Sequence, residues 1–117
     1  AIKQYWHVAG YKQRAWIDLQ NDVNHTFAAH RWRGKSGEID LIMRNGALVV
    51  FVEVKKSASF ARAATRLGRK QMDRLIGAGS EFIETEPKGQ LTEVRFELAM
   101  VDGQGRVEII ENAFAEY

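Results

Sequence analysis

Apolar positions along the chain follow two periods, and the switch between them marks out the elements. Val8, Tyr11, Ala15, Leu19 and Val23 step by three and four, the spacing of one helix face. Arg14, Asp18 and Asp22 recur every four residues on another face, where opposite charges pair in water. This pattern predicts a helix ending near Asn24-His25. A β-like run follows over Thr26–Arg33, closed by Gly34-Lys35-Ser36-Gly37. Glu38–Arg44 and Ala47–Lys56 then read as two strands joined by Asn45-Gly46, a dipeptide suited to a hairpin turn with φ > 0 at both central positions. Helical spacing returns briefly near Phe60–Leu67 and again through Met72, Leu75, Ile76, Gly79, Phe82 and Ile83. After the turn-rich Thr85–Gln90, Val94, Phe96, Leu98 and Met100 alternate as a strand. Asp102-Gly103-Gln104-Gly105 turns the chain into a last strand over Val107–Ile109. The order α-β-β-β-α-β-β predicts an α/β or α+β domain, a mixed sheet with helices packed on it.

The central hairpin sorts its residues by face. With Asn45-Gly46 as the two-residue turn, Arg44 faces Ala47, which sets Asp40 opposite Phe51 and Glu38 opposite Glu53. Strand side chains alternate with period two, so Glu38, Asp40, Glu53 and Lys55 project from one face near one end. Ile39, Leu41, Met43, Leu48, Val50, Val52 and Val54 form the opposite, apolar face, which reads as core. Ile42, Val49 and Phe51 share the charged face, so that face is expected to be partly covered. Carboxylates opposed across a ladder repel, and three acids beside one lysine call for a divalent cation or a raised carboxyl pKa. Carboxylate oxygens suit Mg²⁺ or Mn²⁺, and the Lys55 ammonium can orient a water or stabilise charge on a phosphate. A solvated polar sheet face is the plainer alternative.

Composition narrows the classes. The chain has 117 residues with 45% hydrophobic and 27% charged, which fits a single domain over 1–117. There is no cysteine, which excludes a disulfide scaffold, a cysteine–zinc site and a thiol nucleophile. A reducing, cytoplasmic compartment is the expectation. No apolar run approaches the ~18 residues of a membrane span, and no signal peptide is expected. The net charge of +2 hides an asymmetry: residues 1–74 carry 14 Lys/Arg against 6 Asp/Glu, and residues 75–117 carry 3 against 9. Such a split points to a basic face and a polyanionic partner, or to pairing between the two halves.

Gly37-Glu38-Ile39-Asp40-Leu41-Ile42, followed after the turn by Val50-Phe51-Val52-Glu53-Val54-Lys55, resembles the signature of the bacterial YraN family. Arg95-Phe96-Glu97 and Ile110-Glu111-Asn112-Ala113-Phe114 resemble that family's closing strands, so the likeness spans most of the chain. The resemblance implies a restriction-endonuclease-like fold, a mixed sheet of about five strands flanked by helices, similar to archaeal Holliday-junction resolvases. It also implies that Asp40 and Glu53 hold a metal with the backbone carbonyl of Val54, and that Lys55 is the catalytic lysine. Glu38 matches a glutamate usual in the family. One departure stands out: the family's Gly-x-x-Ala-Glu pattern early in the first helix is replaced by Gly10-Tyr11-Lys12-Gln13-Arg14, and residues 1–37 contain no glutamate.

The segment after the hairpin supplies cations. Lys55, Lys56, Arg62, Arg66, Arg69, Lys70 and Arg74 stand against the single acid Asp73. Helical spacing can gather Arg62, Arg66, Arg69 and Lys70 into a basic ridge that neutralises phosphates irrespective of sequence; a solvated helix face is the alternative. Gln71 lies close enough to the core-facing side to reach the acids, as amides do in related nucleases, or to bond backbone instead. His30-Arg31-Trp32-Arg33-Gly34-Lys35 interleaves an aromatic with cations, which suits a nucleic-acid backbone with Arg33 as a contact, although Trp32 reads better as packing.

These readings converge on a Mg²⁺- or Mn²⁺-dependent endonuclease acting on structured or branched DNA. It would use no nucleotide cofactor and no membrane, with Asp40, Glu53, Lys55, Glu38 and Gln71 at its centre. A nucleic-acid-binding module that keeps the scaffold without turnover is the alternative, motivated by the missing glutamate. A homodimer built on the hairpin edges is a third expectation.

Overall fold

A computed structural model of the chain describes residues 26–56, 68–104 and 106–110. The helical patterns at 8–23 and 60–67, with Arg62 and Arg66, lie outside the described residues.

Five strands form one mixed sheet in the order β1-β2-β3-β4-β5. They are β1 (Thr26–Arg33), β2 (Glu38–Asn45), β3 (Leu48–Lys56), β4 (Val94–Val101) and β5 (Val107–Ile110). All pairs are antiparallel except β3 with β4, which run parallel. Parallel neighbours need a crossover, and helix α1 (Arg69–Ile83) lies in that connection. This is the mixed five-stranded α/β architecture expected from the sequence.

The β2–β3 register differs from the expected one by two residues. Asn45 pairs with Leu48 and Arg44 with Val49, so the turn residues are Gly46 and Ala47. Gly46 has φ +61 while Asn45 is not among the residues with positive φ. Positive φ at the first central position alone is the II′ pattern rather than I′. A shift of two does not by itself change the face of any side chain. It moves Asp40, one step past the last pair Leu41↔Val52, to the level of Glu53.

Helix α1 covers one face through Leu75, Ala78, Phe82 and Ile83, which pack on Ile42, Val49, Phe51 and Ile39. Gly79 permits the close approach, since a Cβ there would stand 2.9 Å from the Phe51 ring. Phe82 receives Trp32 edge-on at 5.5 Å and Phe51 at 6.0 Å between centroids, so Trp32 is packing. The other face gathers Leu41, Met43, Val50, Val52, Val54, Ala99 and Val101, all buried. Ile39 corrects the expected alternation: it joins the α1 side, not the face of Leu41 and Met43.

The β1–β2 loop is fastened to the helix. The Glu81 carboxylate accepts the Lys35 and Ser36 backbone N–H groups at 2.8 and 2.9 Å, which holds its carboxyl below the ordinary range. At the far edge Asp102 closes the β4–β5 turn, accepting the N–H groups of Gln104 and Arg106, each at 2.9 Å.

Candidate functional site

The site forms where β2 and β3 part. Beyond Leu41↔Val52 the ladder stops, and the Asp40 carboxylate takes over, accepting the Val54 N–H at 2.9 Å. Asp40 is therefore buried between β2 and β3, only 8% exposed. In a strand the N–H and C=O of one residue point to the same edge, so the Val54 carbonyl also points toward Asp40. The Val54 side chain is buried on the far face.

Glu53 meets Asp40 directly. Burial, then the hydrogen bond and negative charge of Asp40, push the Glu53 carboxyl up to about 9, although Lys55 and Gln71 act in the opposite sense. Two carboxyls so close cannot both ionise at neutral pH without a cation, and the proton belongs to the pair. Helix α1 contributes Gln71 from its first turn. Its amide nitrogen donates to Glu53 Oε2, and its Oε1 accepts from Lys55 Nζ at 3.1 Å. One amide thus fixes both the carboxyl and the lysine, and only a residue on the α1 face toward β3 can do so.

Asp40, Glu53, Lys55 and Gln71 are thus brought together. Glu38 is not: its carboxylate takes Arg31 Nε at 3.3 Å, and no three His, Cys, Asp or Glu side chains converge among the described residues. The expected cluster of three acids is therefore a pair, because the break in alternation at Asp40 separates Glu38 from it. Two carboxylates, a backbone carbonyl beside them and a proton that a cation can replace fit a hard divalent ion. Of the expected cations, Lys56, Arg69 and Lys70 are exposed, and Arg33 is exposed on β1. Arg69 and Lys70 precede Gln71 in the first turn of α1. Glu97, 2% exposed, binds Arg95 at 2.8 Å on β4 and has a structural part.

Two features are not read from the sequence: the left-handed φ of +50 at Arg31, itself among the cations of 30–35, and the role of Glu81. Nothing in a sequence marks the first; the run of N–H groups in Gly34–Gly37, which needs an acceptor, is a signal for the second.

The model of the uncharacterised protein family UPF0102 matches residues 14–101. A UPF0102 protein of Cereibacter sphaeroides strain KD131 is 57% identical over 110 residues, 94% of each chain. One from strain ATCC 17023 of the same species is 69% identical over 88 residues, 75% of each. One from Ruegeria pomeroyi is 64% identical over 84 residues, 72% of this chain and 68% of its own. The hairpin carrying Asp40, Glu53 and Lys55 lies inside the matched span, and on these matches the chain belongs to the UPF0102 family, the YraN family its motifs resemble.

Proposed function

We propose that this chain is a metal-dependent phosphodiesterase acting on structured or branched DNA. The observation that carries the reading is the joined set Asp40, Glu53, Lys55 and Gln71 at the open end of β2 and β3. Asp40 and Glu53, with the Val54 carbonyl, would hold Mg²⁺ or Mn²⁺. Such an ion, when bound, supplies Lewis acidity toward a phosphate oxygen and a more acidic water. Asp40 is oriented by the Val54 N–H, so its second oxygen is presented in a fixed direction. Lys55 is oriented by Gln71 and places positive charge where a phosphate gains negative charge.

The surroundings support a polyanion. Helix α1 opens with Arg69 and Lys70 and has no acid in its first turn and no side-chain cap. Cations at a helix N-terminus oppose the macrodipole; a bound phosphate backbone would offset that.

The test is cleavage of junction, flap and single-stranded DNA by purified protein with Mg²⁺ or Mn²⁺. Cleavage of at least one substrate is expected, reduced by about 10²-fold or more in Lys55→Ala. No cleavage, or equal cleavage by the variant, rejects the reading and leaves the non-catalytic binding module in its place.

A further inference from the structure

Alternation breaks at one level of the sheet in two neighbouring strands. On β1, Ala28 and Ala29, at a bulge after Phe27, and Trp32 pack on the α1 side; on β2, Ile39 and Ile42 do the same. The pairs Ala29↔Ile42 and Trp32↔Ile39 hold the two breaks side by side. Between them, at one level, stand Arg31 and Asp40. Arg31 has φ +50 and is the one described non-glycine residue with positive φ. A residue with a Cβ adopts that conformation only at a cost. The Arg31–Glu38 pair joins side chains 51% and 30% exposed, and an exposed pair returns less than that cost. The strain is therefore not explained by the ion pair, and strain of this kind gathers at ligand clamps.

Its place in the sheet is specific. The left-handed residue lies at the level where β2 breaks its alternation, so Arg31 stands across the strand pair from Asp40, which accepts the Val54 N–H. Glu38 engages the guanidinium through Nε. No hydrogen bond from its Nη groups, the edge suited to gripping a phosphate, is found among the described residues.

We propose that Arg31 is a phosphate-contact residue of the candidate site, aimed by Glu38 and by its own left-handed backbone. Glu38 is then a positioning residue and not a metal ligand. The inference rests on the reading of the site as one that takes nucleic acid, and it assigns a residue to one phosphate of that ligand.

The experiment measures binding of fluorescent junction DNA by anisotropy, with chelator present, across a series of KCl concentrations. Arg31→Gln is expected to weaken binding and to reduce the slope of log K against log salt by about 0.9, one phosphate's share. Arg31→Gly gives the same weakening while keeping a backbone at ease with positive φ, which separates removal of the cation from damage to the fold. Glu38→Gln weakens binding with an unchanged slope, and has no effect in the Arg31→Gln background. Wild-type slopes in both Arg31 variants overturn the phosphate assignment. Equal weakening by Glu38→Gln in both backgrounds overturns the positioning. Absence of any DNA binding by the wild-type chain overturns the nucleic-acid reading itself, a result distinct from either.

Discussion

Single side chains carry most of the chemistry. Glu53 holds its proton because burial and Asp40 both disfavour its charge, against an ordinary value of 4.5. The sign of its effect on stability follows. Between its unfolded value and about 9, the folded chain keeps a proton that the unfolded chain has lost. Folding stability from this group is thus intact at low pH and falls as pH rises through that window, by up to about 1.4 kcal/mol per pH unit. Thermal melts in metal-free buffers from about pH 5 to pH 9 should show this decline, and Glu53→Gln should flatten it. A second residue-scale prediction concerns packing. Gly79→Ala pushes a methyl against the Phe51 ring, where a Cβ has 2.9 Å, and should cost about 1–3 kcal/mol in denaturant unfolding. Stability equal to wild type would mean that the ring moves aside freely.

At the scale of elements, the loop from Gly34 to Gly37 is held by one carboxylate. Glu81 accepts the N–H groups of Ser36 and Lys35, which lower its pKa. That contribution is present above the unfolded value and lost as pH falls through the lower folded one. Glu81→Gln should therefore accelerate hydrogen exchange at the Lys35 and Ser36 amides by roughly an order of magnitude, while the β2–β3 amides stay protected. The elements themselves were legible where apolar spacing was unbroken: the strands, α1 and the α1-facing residues Leu75, Phe82 and Ile83 all follow from period alone. The hairpin register was not, because the expected and observed registers both set apolar residues against apolar ones. The φ of Gly46 decided between them. The faces beyond Asp40 survived because the error was even, and Ile39 changed side only where the alternation breaks. The loss of Glu38 from the company of Asp40 and Glu53, which the sequence does place together, was hidden for a different reason. It depends on a break in alternation at the level of Arg31 and Asp40, and periodicity assumes no break.

For the whole molecule, the charge asymmetry of the sequence acquires a place. Lys56, next to Lys55 on β3, and Arg69 and Lys70, next to Gln71 in the first turn of α1, are exposed, so cations for phosphate adjoin in sequence the residues that form the site. DNA affinity should accordingly fall linearly in log K against log salt, and Arg69→Gln with Lys70→Gln should reduce that slope by about 0.9 for each phosphate no longer neutralised. The central claim, that Asp40 and Glu53 form a divalent-cation site, is tested most directly by titrating the chain with Mn²⁺ in a calorimeter, using buffers of different ionisation enthalpy. One ion bound per chain, with about one proton released per ion near neutral pH, and binding abolished in Asp40→Ala, is expected. Mn²⁺ binding that survives Asp40→Ala unchanged, or no binding to the wild-type chain, would contradict it.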